Sequence, residues 1–217
     1  METNAFWYDM LCFAIEMESK YGRKTSGFVE KWSPVRDMVE ENYQKMFWMP
    51  DKGYLADYVD NNGQNTDVRP NQLFALAVHH QPVDDTVLGS MMNVVDRELV
   101  TSRGIRTLSP RDLKYRGVYE GTQRERDLAY HQGCAWPALL LPYARIKFRM
   151  DGAAFCKRAE WLMEGFYDDL NKHGVGMFSE LYDGDPPHEP HGAISSAMST
   201  AALLYVENLI NKYKEER

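Results

Sequence analysis

The residues of this chain best suited to chemistry lie between Lys172 and Ala193 (KHGVGMFSELYDGDPPHEPHGA), where the carboxylates Glu180 and Asp183 sit beside Phe178 and Tyr182. A carboxylate can activate water or accept a sugar hydroxyl, and an aromatic ring can cover a sugar face, so the group points toward carbohydrate chemistry. Gly174 and Gly176 stop a preceding helix, and Asp183-Gly184 and Pro186-Pro187 force turns, so neither helix nor strand is expected to run through the stretch. A loop this long inside a compact domain is more often functional than idle. Taken alone, the same residues also make an ordinary solvated acidic turn.

What must hold this loop is a set of helices. Apolar residues recur at helical spacing over Asn4 to Tyr21, and a second helix covers about Ser26 to Phe47, with Pro34 as a kink or break. A third is expected from Pro70 to about His80, a fourth from Thr86 to Ser102, and a fifth from Ala135 to about Arg149. The sixth spans Ala153 to about Lys172 and the seventh Ile194 to about Tyr213, while Tyr54 to Val59 suits a short hairpin arm and Ile105 to Gly133 reads as irregular. Links after the first, third and fifth helices are short, and those after the second, fourth and sixth are long. Because successive helices tend to run antiparallel, the three long loops should emerge on one face. The expected fold is therefore all-α, part of an (α/α)6 toroid in which about seven helices alternate between inner and outer layers.

On that face the sequence gathers Asp67, Arg69, Asn71 and Gln72 from the first long loop. The second loop adds Arg106, Tyr115, Tyr119, Arg126, Asp127, Tyr130, His131, Gln132 and Trp136, and the third adds Glu180, Asp183 and His188. Singly, each has a plain structural role as a surface ion or packing ring. Together, carboxylates, amides and aromatics meet the requirements of carbohydrate binding.

Composition narrows the alternatives. A net charge of -7 and a pI near 5.4 disfavour nucleic acid or an anionic membrane, where a basic face would be expected. No apolar run approaches a membrane span and no secretory pattern opens the chain, so the default compartment is the cytoplasm. Cys12, Cys134 and Cys156 lack CxxC spacing and read as reduced packing residues. His188, Glu189 and His191 do not have the helical spacing of a zinc motif, and Pro190 would break such a helix, so no metal or other cofactor is expected. His79 and His80 read as ordinary residues at a helix end. Neither a phosphate-binding glycine loop nor a GxSxG elbow occurs.

Six blocks in order carry a resemblance: ETNAFWYDML, VRPNQLFAL, GIRTLSP, YRGVYEG, RDLAYHQGCAWP and FSELYDGDPP. They span nearly the whole chain, which in this respect resembles the C-terminal amylo-α-1,6-glucosidase domain of glycogen debranching enzymes. The resemblance implies an (α/α)6 toroid and inverting hydrolysis of the α-1,6-linked glucose at a branch of glycogen or limit dextrin. It implies Glu180 as the general base, and Arg69, Asn71, Gln72, His131, Gln132 and Trp136 as lining of the glucose pocket. Glu2, Tyr115, Tyr119, Arg126 and Asp183 complete the substrate-binding candidates.

Two positions depart from the family pattern. The family's general acid, an aspartate in a WMDA-like block, falls upstream of the position matching Glu2, and Met198 stands where the family usually has tryptophan. The chain is thus expected to be the C-terminal part of one glycosidase domain, with the remainder of a parent chain as its partner. Because an inverting glycosidase needs both an acid and a base, these 217 residues alone are expected to hydrolyse little or nothing. Flanks that absent helices would cover are expected to promote self-association. The alternatives are a glycan-binding or assembly module without chemistry, or an α/α-toroid glycosidase of other specificity.

Overall fold

The computed structural model describes residues 1–23 and 25–215, which divide into two compact units. The first comprises Met1–Asp67 and Asn71–Val94; the second comprises Val68–Pro70 and the chain from Val95 onward.

In the first unit, α1 (Glu2–Tyr21) packs against α2 (Phe28–Phe47) and against the short α3 (Gln72–Ala77). Ala5, Tyr8, Leu11, Cys12 and Ile15 recur every three or four residues along α1 and are its buried face. The opposite stripe, Phe6, Met10, Phe13 and Met17, is exposed. Pro34 neither ends nor divides α2, which runs unbroken for 20 residues. The hairpin arm expected over Tyr54 to Val59 is instead two antiparallel pairs of two-residue strands. In these, β1 (Trp48–Met49) pairs with β2 (Tyr54–Leu55), and β3 (Val59–Asp60) pairs with β4 (Gly63–Gln64). The third helix is shorter than its apolar pattern suggests, and α4 (Leu88–Glu98) contributes residues to both units.

The second unit corrects the expectation of a purely helical fold. Its centre is a five-stranded antiparallel sheet in the order β5 (Val100–Thr101), β6 (Gly104–Arg106), β7 (Ala135–Trp136), β8 (Leu181–Tyr182), β9 (Pro190–His191). Residues 99–102, expected as the end of the fourth helix, turn back into the β5–β6 hairpin, and Ala135–Trp136, expected as a helix start, are a strand. Strands of two or three residues carry no readable alternation. They exist because neighbouring backbone offers partners for N–H and C=O groups that would otherwise be buried unpaired.

The supposedly irregular stretch before β7 also contains a helix, α5 (Gln123–His131). Thr122 caps it with its side-chain oxygen, and Glu125 reaches back to the Thr122 backbone N–H in a full capping box. Around the sheet stand α6 (Leu140–Asp151), α7 (Cys156–Tyr167) and α8 (Ala197–Glu215), with α6 and α7 both packed on α8. Phe166 of α7 is fully buried with its ring 5.7 Å from that of Tyr182, which backs the strand beginning just after Glu180. Burial of each such ring stabilises the unit by about 1.5–3 kcal/mol. All three cysteines are buried and unpaired.

Candidate functional site

Glu180 enters the sheet at the start of β8. Its backbone N–H donates to the Ala193 carbonyl at 2.9 Å, and its Oε2 accepts from the Ala193 N–H at 2.9 Å. On the other oxygen, the Tyr130 hydroxyl donates to Oε1 at 2.6 Å. The loop can come this close because Gly192 has a left-handed backbone, φ +71°, and a Cβ there would lie 2.6 Å from Glu180 Oε2. Burial, followed by the hydrogen bond to Glu180 and its charge, pushes the Tyr130 phenol up to about 12, so Tyr130 remains a proton-bearing donor at neutral pH.

Aromatic rings extend from this contact. The Tyr130 ring stands edge-on to Trp136 at 4.7 Å, His131 stacks on Trp136 at 6.3 Å, and Tyr119 lies 6.5 Å from Tyr130 and 5.3 Å from His191. Tyr119, Tyr130 and Trp136 rest on a small core of Ala129, Cys134 and Leu181, which fixes them from beneath. Burial pushes the Cys134 thiol up to about 12, so it is a protonated packing group there.

Polar contacts join the second and third long loops. Asp183 is buried, its Oδ1 accepting from the Tyr119 N–H at 2.7 Å and lying 3.0 Å from His191 Nε2. Tyr115 donates to Asp185 at 2.7 Å, Arg106 Nε to the Gly184 carbonyl at 2.9 Å, and the Gly184 N–H to the Gly117 carbonyl at 2.7 Å. A Cβ at Gly184 would lie 2.1 Å from the Gly133 carbonyl oxygen, an approach that only glycine permits. Arg69 binds the carbonyls of Thr107 and His131 and, through Nη2, the Gln132 Oε1 at 2.8 Å, orienting the turn after α5.

Thus Tyr119, His131, Gln132, Trp136, Glu180 and Asp183 are brought together, with Arg69 and Tyr115 bracing the loops that carry them. Arg126 is held locally by the Gly121 carbonyl and Gln123, at the start of its own helix. Glu2, Asn71 and Gln72 belong to the other unit. There Asn71 donates to Asp57 at 2.8 Å, and Gln72 is buried. His188 does not converge with His191 and Glu189 on a common point, because its Nδ1 engages the Asp183 carbonyl oxygen at 2.8 Å.

Sequence reasoning placed Tyr130 on the face but gave it no task, and it weighed His191 only as a metal ligand. The available signal was the T-x-x-E box at Thr122, which sets α5 in register and so puts Tyr130 in its last turn. In chemical terms, the site offers one carboxylate fixed by two uncharged donors beside rings able to cover a sugar face. That carboxylate can take a proton from water or accept a hydroxyl.

Known proteins resemble this chain as follows. The glycogen debranching enzyme of Saccharomyces cerevisiae is 24% identical over an alignment of 224 positions, gaps included, which covers 85% of this chain and 15% of that protein. The fold extends further: neutral trehalase Nth1 from Saccharomyces cerevisiae superposes with a TM-score of 0.69 at 12% identity, over 98% of this chain and 38% of its own. Residues 1–205 match the family described as amylo-alpha-1,6-glucosidase, a span that includes every element of the site from α5 to β9, and the chain belongs to that family.

Proposed function

We propose that this chain carries the base half of an inverting glucosidase acting on α-1,6 branch linkages of an α-glucan, with Glu180 as general base. The observation that carries the proposal is the two-point hold on the Glu180 carboxylate by Tyr130 and Ala193, beside Trp136 and His131. In the reaction, water attacks the anomeric carbon as Glu180 takes its proton, the bond to the leaving sugar oxygen breaks, and that oxygen receives a proton from an acid on the other side. The pair needs a separation of roughly 6.5–9.5 Å to admit the water. We assign the acid to a preceding segment of a longer parent chain. Trp136 and His131 cover the glucosyl ring, and Gln132, oriented by Arg69, serves its hydroxyls.

α-Glucosyl fluoride tests the base on its own, because fluoride departs without a proton donor. The 217-residue chain should release fluoride and form β-glucose first, and Glu180→Gln should lower that rate at least about 100-fold without lowering the melting temperature. Fluoride release that survives the substitution, or α-glucose as first product, would refute the assignment.

A further inference from the structure

The geometry points to Tyr130 as a positioning residue whose hydroxyl aims the Glu180 carboxylate at the attacking water. The inference rests on Glu180 being the base.

The physical need arises from the glutamate side chain itself. Its last torsion joins a tetrahedral to a planar carbon, and its preference is broad, so the plane of the carboxylate is not set by the side chain's own rotamer. Ala193 holds only Oε2, at 2.9 Å, which leaves the group free to swing about that contact. The Tyr130 hydroxyl on Oε1, at 2.6 Å, supplies the second point that defines a plane. Both donors are uncharged, so neither pairs the carboxylate with an opposite charge, and each oxygen keeps a free lone pair for the water.

Tyr130 is itself held. Its ring stands at 83° to Trp136 and packs on the Ala129, Cys134 and Leu181 core, and its backbone carbonyl accepts from Trp136 Nε1 at 3.3 Å. The same tryptophan that would cover the sugar therefore steadies the residue that steadies the base. A shift of the sugar-binding wall would then move the base with it. Because the phenol is pushed up to about 12, the donor still holds its proton well above the pH at which an ordinary carboxylate ionises.

Tyr130→Phe keeps the ring and removes only the hydroxyl. In the 217-residue chain, kcat for α-glucosyl fluoride should fall about 10- to 100-fold, as expected for a misplaced reacting group, while KM changes less than about twofold and the melting temperature holds. Tyr130→Ala, which also removes the ring, should in addition raise KM. A second measurement follows Tyr130 itself by nuclear magnetic resonance of ring-labelled tyrosine. In Glu180→Gln its titration should move down from about 12, yet stay above that of a free tyrosine because burial remains.

Wild-type kcat in Tyr130→Phe, or an unmoved Tyr130 titration in Glu180→Gln, overturns the role of Tyr130 and leaves the base assignment standing. Fluoride release that persists in Glu180→Gln, or is absent from the unsubstituted chain, overturns both.

Discussion

Two titratable side chains in this protein are each gripped on both sides, by opposite kinds of partner. Glu180 is held by a phenol and a backbone amide, neither of them charged. His80, in the other unit, is held by two carboxylates, with Asp9 Oδ1 2.9 Å from Nδ1 and Glu16 Oε1 2.9 Å from Nε2. Asp9 and Glu16 lie two turns apart on one face of α1, and the His80 backbone N–H also donates to Asp9 at 2.8 Å. Burial alone would push the imidazole down, but hydrogen bonds to Glu16 and Asp9 outweigh it and hold His80 above its ordinary value. For Asp9 burial likewise opposes, and the His80 contacts bring it below its ordinary value. Opposite charges thus favour the protonated form of the histidine and make it a tie between α1 and the chain after α3. Uncharged donors orient Glu180 without pairing it to an opposite charge, as a proposed base requires.

The difference can be sharpened from the site outward. Gly192→Ala puts a methyl group 2.6 Å from Glu180 Oε2 at a backbone φ of +71°. It should lower fluoride release about 100-fold by displacing the carboxylate, and an unchanged rate would show that the fit at Gly192 does not set the base. Stability should fall by only about 1–2 kcal/mol, read by denaturant unfolding.

Thr122→Ala breaks the capping box that starts α5 and should cost about 1 kcal/mol in the same unfolding measurement. Unaltered stability would mean that packing alone sets the helix start.

The smallest effect concerns His80, whose side chain is only 19% exposed but whose partner Glu16 is 62% exposed and screened. Since the folded value lies above the unfolded one, this contribution is complete below about pH 6.5 and is lost as pH rises through the folded value. Asp9 adds the mirror case: its contribution is present above its ordinary value and is lost as pH falls below it. His80→Gln should therefore lower the melting temperature by no more than about 3 °C near pH 6 and by less at pH 8 or above. An equal loss at both pH values would break the contrast, making His80 a packing residue.

Several elements were legible before any coordinates. The buried stripe of α1 is periodic, helices were expected over most of α2, α6, α7 and α8, and the six sequence blocks indicated the family to which residues 1–205 belong. Other features were hidden for local reasons. Helix α5 is polar almost throughout, so its hydrophobic pattern was silent, and only its cap betrayed it. Glu180 could be selected as a carboxylate on a turn-rich loop. Its environment could not, because Tyr130 lies 50 residues earlier in the chain.

By itself the sequence determined where most of the long helices run, which carboxylate sits among turns and aromatics, and which family the chain resembles. These properties depend on neighbours within a turn or two, where periodicity, caps and glycines act. Tertiary structure alone decided that strands of two or three residues join the distant loops in one sheet, and that Tyr130 and Ala193 meet the two oxygens of Glu180. The strands are too short to have a pattern of their own. Their pairing is set by the backbone hydrogen bonds that the packed helices leave to be satisfied.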